Sequence, residues 1–186
     1  GRTEKAERML QEHYGNSVDG LPRHMPQQYY FQKSLISLAA GDKDEARLWI
    51  AESIDGDAEQ SWTGMQVLLA TLSSALQMDA GNTELAEQRL VFAERAVRRA
   101  RINGVDDADI YYTESSIQAL RGQSDAALVS LQGAYDRGFR GSWWLDWDLR
   151  MNSLRQEPQF ATIRQQIEKD IVQARLQVES FAVALR

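Results

Sequence analysis

Few residues in this chain are suited to chemistry. Its 186 residues include two histidines, His13 and His24, and no cysteine, which excludes thiolate nucleophiles, disulfides and cysteine–zinc sites. A histidine zinc site needs further ligands at helical spacing, and neither histidine has one four residues away. His13 shares its register with small residues in later segments, which predicts a partly buried structural histidine. His24 lies in a proline-flanked stretch, which predicts a solvated loop.

Acidic residues offer a weak alternative. Asp106, Asp107 and Asp109 could supply carboxylates to calcium, but the distal glutamate of an EF-hand loop is absent, and the start of a helix explains these acids better. The chain has no phosphate-binding loop, dinucleotide-binding loop or nucleophile elbow. We therefore predict that it is not an enzyme and that it uses no metal and no cofactor.

The charge pattern argues against nucleic acid as a partner. The net charge is −6, and no aromatic residues alternate with the strongest basic run, which contains Arg95, Arg98, Arg99 and Arg101. This run either complements a helix dipole or binds an anionic protein segment. No apolar stretch approaches the roughly 20 residues of a membrane span, so membrane contact is not expected. A cysteine-free chain suits both cytoplasm and periplasm, which leaves the compartment open.

An aromatic cluster has two interpretations. Three tryptophans stand close together beside Phe139 and Leu145, and they either plug the end of a core or line a pocket for a small ligand. They are Trp143, Trp144 and Trp147.

The elements that must position these residues are set by a repeat. Glycines recur at Gly1, Gly41, Gly81 and Gly122, at intervals of 40, 40 and 41 residues. An acid follows each glycine by three residues, an alanine by five and an aliphatic residue by nine. This pattern predicts that the glycine ends one helix and that the acid lies in the first turn of the next. Two threonines and a serine, two residues after their glycines, are candidate N-caps, namely Thr3, Thr83 and Ser124.

Small residues predict how each helix pair packs. A serine stands seven residues before each of the last three glycines, at Ser34, Ser74 and Ser115. We expect each serine to face the alanine of the following helix, so that the two backbones approach closely. The predicted hairpins cover 27–54, 61–101 and 108–137, after a lone second helix at 1–14. An irregular aromatic segment is expected over 138–157, and a final helix over 158–186.

These features resemble the tetratricopeptide repeat family, whose helical hairpins carry a small residue in each helix and a glycine–acid turn. The clearest copy contains Gly122–Leu128. The repeat is longer than the family's usual length of about 34 residues, which predicts lengthened loops. The resemblance implies a single all-α domain, a right-handed α-solenoid closed by a C-terminal capping helix. A lone helix at the start leads us to expect that the chain is part of a longer one.

The family binds partners on the concave face formed by the first helix of each hairpin. By register, the resemblance implies nine groove residues: Gln28, Phe31, Leu35, Leu68, Thr71, Ala75, Asp109, Tyr112 and Ser116. Their mixed character disfavours a clamp for a C-terminal carboxylate and favours a peptide or helix with apolar anchors.

The C-terminal region carries two further indications. The stretch Trp147–Phe160 resembles the end of such repeat regions in bacterial winged-helix regulators of the CadC type and in class III adenylyl cyclases. After it, apolar residues recur with an average step near 3.5, from Phe160 to Leu185. The whole helix either caps the last hairpin, or its distal half, 171–185, pairs with a second copy of the chain.

Taken together, the sequence predicts a non-catalytic module that binds a protein segment within a larger bacterial signalling or regulatory protein. Two alternatives stay open at this point. The module is a sensor that binds a small effector beneath the tryptophans, or an accessory region of an enzyme whose catalytic domain lies upstream.

Overall fold

The computed structural model describes residues 2–15, 25–54 and 64–184. Within these ranges every regular element is helical and none is a strand, which confirms the all-α class. The α-helices are α1 (Arg2–Tyr14), α2 (Met25–Ala40), α3 (Lys43–Ser53), α4 (Gly64–Asp79), α5 (Thr83–Ile102), α6 (Ala108–Leu120), α7 (Ser124–Asp136), α8 (Ser142–Leu145) and α9 (Pro158–Ala184). Two compact units, Gly1–Ala93 and Glu94–Arg186, divide the chain within α5.

The glycine turns join the helices of each pair as predicted. Gly41, Gly81 and Gly122 have φ of 84°, 81° and 71°, a conformation that glycine adopts without strain. In each turn the next residue donates its backbone N–H to a carbonyl five residues earlier, at 2.8–2.9 Å. This is the hydrogen bond of a Schellman motif, and it satisfies a carbonyl that the helix leaves unpaired.

At the helix starts, the predicted acidic residues are found in the first turns, but the predicted N-caps are not found. An acid lies in the first turn of α1, α3, α5 and α7, as the repeat predicts. The predicted N-caps are wrong, because Thr3 lies inside α1, and Thr83 and Ser124 are the first residues of α5 and α7. Asp42, one residue after its glycine, caps α3 by accepting the Glu45 N–H at 2.9 Å.

The small residues at the helix crossings are buried. Ser74 Oγ donates to the Ala86 carbonyl at 2.9 Å, and Ser115 Oγ donates to the Ala127 carbonyl at 2.7 Å. The same hydrogen bond thus joins α4 to α5 and α6 to α7. Ser34 is equally buried but donates to the Phe31 carbonyl of its own helix at 2.6 Å.

In the first unit, aromatic rings connect α1, α2 and α3. Tyr14 contacts Tyr29 edge to face, with ring centroids 5.6 Å apart, and Tyr30 stacks on Trp49 at 5.9 Å. Leu10 and Ile50 are buried at equivalent repeat positions. These contacts fix α1 against α2, which positions the surface between those two helices.

In the second unit, residues 138–157 close the α6–α7 hairpin. The sequence predicted an irregular segment here, but it contains α8 and a 3-10 helix over Leu149–Leu154. Leu145, Met151 and Leu154 are fully buried in the core formed with α6, α7 and α9. The three-residue spacing of Met151 and Leu154 puts both on one side of a 3-10 helix, which explains the local order.

Candidate functional site

An open groove lies between α1 and α2 in the first unit. It encloses about 690 Å³, and its apolar lining includes Met9, Leu10, Leu35 and Ile36. Leu10 is buried and forms part of the floor, whereas Met9 is 59% exposed. Together these residues form one contiguous apolar surface along the groove, which is typical of a binding site, whereas an isolated exposed methionine would not be.

Helical spacing explains how α1 contributes to the groove. Met9 and His13 are four residues apart and therefore share a face, while Leu10 and Tyr14 share the adjacent face and are buried. His13 is exposed at the groove and contacts the Tyr14 ring edge to face at 4.6 Å. The prediction of a partly buried His13 is wrong because no described helix covers this side of α1.

The polar rim of the groove is mainly acidic or neutral. Glu12 and Gln32 line it beside His13. Nearby on the same two helices, Glu7 Oε1 lies 3.4 Å from Lys33 Nζ, so this lysine charge is already paired. The rim therefore suits a basic partner better than an acidic one.

The nine residues predicted for a groove lie in different environments. Gln28 and Asp109 are exposed, and Phe31, Leu35 and Leu68 are half-buried. Only Leu35 among them lines the α1–α2 groove. The other four residues are buried and do not offer their side chains to a partner, which corrects their assignment: Thr71, Ala75, Tyr112 and Ser116.

The buried positions have identifiable causes. Thr71 Oγ1 donates to the Leu68 carbonyl at 2.9 Å, and Ser116 Oγ donates to the Tyr112 carbonyl at 2.9 Å, so both hydroxyls are used within their own helices. Phe139 stacks on the Tyr112 ring with a centroid distance of 4.4 Å. The segment after α7 thus covers the part of α6 that the register assigned to the groove.

The three tryptophans contact one another in the second unit. Their ring centroids are 4.5–5.7 Å apart. Trp143 is 62% exposed, whereas Trp144 and Trp147 are half-buried. The guanidinium of Arg150 lies 5.9 Å from the Trp144 ring centroid, so the cluster adjoins a buried charge.

That charge belongs to a buried ion pair which sequence reasoning missed. Arg150 Nη2 donates to Asp148 Oδ2 at 2.6 Å, and Nε donates to Oδ1 at 2.9 Å. The Tyr112 hydroxyl donates to the same carboxylate at 2.5 Å. Neither charged side chain is exposed. The sequence did contain one indication of this pair, because two opposite charges flank Leu149 in an aromatic-rich stretch.

Interactions within this cluster keep the Asp148 and Arg150 side chains charged although both are buried. Burial alone raises the pKa of Asp148, but the charge and hydrogen bonds of Arg150, with the Tyr112 hydrogen bond, lower it below the usual value. Burial and the Asp148 charge raise the pKa of Tyr112 well above its usual value. Tyr112 therefore stays protonated and donates its hydrogen bond to Asp148. Together, Tyr112, Asp148 and Arg150 form a clasp that joins α6 to residues 138–157.

The basic run on α5 contains three exposed side chains and one that is paired. Arg95, Arg98 and Arg99 are exposed. Arg101 Nη2 donates to Glu114 at 2.7 Å, and its guanidinium lies 3.6 Å from the Tyr111 ring centroid. Arg137 lies 3.8 Å from the same centroid. Arg101 thus helps to hold α5 against α6.

Among the described residues, no three histidine, cysteine, aspartate or glutamate side chains are grouped so as to hold a metal ion. In the same part of the chain, no helix combines the length and apolarity needed to cross a membrane. Comparisons with known protein families, with curated proteins and with solved structures found no match for this chain.

Proposed function

We propose that this chain is a non-catalytic helical-repeat module which binds a protein segment in the α1–α2 groove. The proposal includes a tetratricopeptide-like arrangement, in which the hairpins stack as a right-handed solenoid within a larger bacterial signalling or regulatory protein. The observation that carries it is the open apolar groove lined by Met9, Leu10, Leu35 and Ile36, which no other described helix lines.

The hairpin construction supports the repeat part of the proposal. The glycine turn and the buried alanine recur in all three hairpins, and the serine-to-carbonyl hydrogen bond recurs in two of them. Hairpins that bury small residues at a fixed crossing are rigid supports, because close-packed backbones tolerate little displacement. A rigid support reduces the entropy lost when a flexible segment binds.

The groove favours a particular class of partner. A groove between two helices with apolar lining residues matches an amphipathic helix whose anchors recur at i, i+3, i+4 and i+7. Glu12 on the rim and the chain's net charge of −6 favour basic residues on the polar face of that helix. The partner is therefore a basic amphipathic segment.

Two synthetic peptides test this assignment. Both carry leucine anchors at i, i+3, i+4 and i+7, but one has lysine and the other glutamate at its polar positions. We expect fluorescence anisotropy to detect binding of the lysine peptide and little binding of the glutamate peptide. Affinity for the lysine peptide should fall as salt is added, because the charge contribution is screened.

Two variants locate the binding surface. Met9→Arg adds a charge to the groove, and it should weaken binding of the lysine peptide by about tenfold or more. Leu48→Arg is a matched control, because Leu48 is 68% exposed on α3 and does not line the groove. Equal loss in both variants, or failure of the lysine peptide to bind the unmodified chain, would contradict the proposal.

Effector sensing beneath the tryptophans is the second candidate. The exposure of Trp143 favours it, since an accessible aromatic ring can stack on a planar ligand. The polar groups beneath the cluster are already engaged with one another, which leaves fewer donors and acceptors for a ligand. Tryptophan fluorescence in a metabolite screen tests this alternative: a saturable change that Trp143→Ala abolishes would support it.

A further inference from the structure

The core-facing stripe of α9 continues beyond the core. Phe160, Ile163 and Ile167 pack into the second unit with 4% exposure or less. Ile171 packs partly against the same core. The stripe then continues on the same side of the helix through Ala174, Val178 and Phe181, in steps of three and four residues.

Packing against α9 stops near Asp170. The Tyr135 hydroxyl donates to Asp170 Oδ2 at 3.0 Å, and Arg140 Nη2 lies 3.1 Å from the same atom. From residue 172 to residue 181 every side chain is exposed, including Val178 at 68% and Phe181 at 71%. Over about 15 Å, from Val172 to Phe181, the helix therefore carries its apolar stripe exposed.

We propose that this exposed half of α9 pairs with the same segment of a second copy of the chain, in antiparallel orientation. The first half of the apolar stripe packs on α7 of the same chain. The second half would then pack on α9 of the partner. The proposal does not depend on the α1–α2 groove, because no groove residue takes part in it.

Steric constraints favour the antiparallel orientation. In a parallel pair facing along this stripe, the first half of the partner's helix would have to occupy the place that α7 already fills. In an antiparallel pair the partner's helix runs in the opposite direction, and only its last turn, from Phe181 onward, reaches the place where α7 packing ends. The second units of the two copies then lie at opposite ends of the paired segment.

The side chains along the stripe are complementary in this orientation. With the two-fold axis near residue 176, Ile171 lies opposite the partner's Phe181, and Ala174 lies opposite the partner's Val178. Ala174 thus faces a larger residue while Ile171 and Phe181 face each other, so apolar side chains fill every layer of the pair. In an antiparallel pair like flanks face each other, so Arg175 approaches the partner's Glu179.

The paired surface is short, so the dimer should be reversible. About four layers of apolar side chains make an interface smaller than the roughly 800 Å² per partner of a standard complex. Mass measured by sedimentation equilibrium should therefore rise with concentration, from 21.1 kDa toward twice that value. A constant monomer mass up to about 1 mM would overturn the proposal.

Charge substitutions identify the face that pairs. Val178→Glu and Phe181→Glu should each leave the chain monomeric over the same concentration range, while its helicity and melting temperature stay unchanged, because both side chains lie outside the core. Gln173→Glu is the control, since it places the same charge on the opposite side of the helix. Dimerisation that survives Val178→Glu and Phe181→Glu, or that Gln173→Glu abolishes, would refute pairing through this stripe.

A spin label distinguishes the two orientations. The chain has no cysteine, so Gln166→Cys gives a single labelling site on an exposed part of α9. Antiparallel pairing places the two labels about 30 Å apart along the helix axes, whereas parallel pairing places them roughly 10 Å apart. Double electron–electron resonance should show the longer distance, and dipolar broadening of the continuous-wave spectrum, which labels at the shorter distance produce, would refute the antiparallel arrangement.

Discussion

Replacing Asp148 tests whether its ion pair with Arg150 holds the second unit together. Asp148→Ala leaves the Arg150 guanidinium buried without a counter-charge and removes the acceptor of the Tyr112 hydroxyl. Removing one partner of a buried pair costs about 3–5 kcal/mol, because the remaining charge has lost both water and its neutralising group. That is a large part of the roughly 5–15 kcal/mol by which most domains are stable.

Urea unfolding followed by tryptophan fluorescence measures this change. Three of the chain's five tryptophans, Trp143, Trp144 and Trp147, belong to the second unit and report on it, and Trp144 lies next to Arg150. Asp146→Ala is a matched control two residues away, because Asp146 is half-exposed and pairs with Arg164 at 2.6 Å. An exposed pair of this kind contributes about 0–1 kcal/mol.

The two variants should therefore differ by several-fold in their effect on the free energy of unfolding. A second comparison separates the effect of the unpaired charge from the effect of lost packing. Replacing both Asp148 and Arg150 with apolar residues should restore much of the lost unfolding free energy, since no unpaired charge then remains buried. If Asp148→Ala destabilises the chain no more than Asp146→Ala does, the structural role assigned to the clasp is wrong.

Three further predictions concern the same unit. Folding lowers the pKa of Asp148, so the stability that its charge contributes is present above the pKa of an unfolded aspartate, about 3.9, and is lost as pH falls through the lower folded value. The difference in unfolding free energy between the unmodified chain and Asp148→Asn should therefore narrow in acid. Urea midpoints below about pH 4 measure this difference, and a constant difference would contradict the prediction. Ala127→Leu should cost about 1–3 kcal/mol by overpacking the crossing where Ser115 meets the Ala127 carbonyl, and an unchanged melting curve would count against that crossing. Gly133→Ala should lower the melting temperature, because its new Cβ would lie 2.6 Å from Tyr111 Cδ1; calorimetry that finds no shift would show that this ring moves aside freely.

Local features of the hairpins were predictable because they depend on nearby residues. A glycine at C′ and an acid in the next first turn follow from backbone geometry and the helix dipole, and all three glycine turns agree. The N-caps were misplaced because each helix starts earlier after its glycine than the threonine and serine suggested. A serine or threonine is favoured at an N-cap, but the Schellman turn fixes the start of the helix first.

The buried ion pair was not predictable because burial depends on distant segments. In the sequence, Asp148 and Arg150 look like ordinary solvent-exposed charges, and they are removed from water only in the folded unit, where they meet Tyr112 of α6. The same packing explains why Tyr112 and Ser116 are unavailable for binding. The repeat register assigned positions on α6 to the groove, but it could not predict that residues 138–157 cover those positions.

The position of the groove was predictable only in part. Leu35 was selected by register on α2, but Met9 and His13 come from α1, where the sequence predicted a partly buried His13 and did not select Met9. Their exposure depends on what covers α1, which is a property of the folded chain. The spacing of α9 was more informative, since both interpretations of its stripe follow from one heptad-like pattern.

Methionine methyl resonances test the central claim most directly. The chain has five methionines; Met9 lines the groove and is exposed, while Met151 is fully buried in the second unit. In a titration with the lysine peptide, we predict that the Met9 methyl resonance shifts progressively to saturation and that the Met151 resonance does not move. A Met9 resonance that stays in place at saturating peptide would contradict binding in the α1–α2 groove.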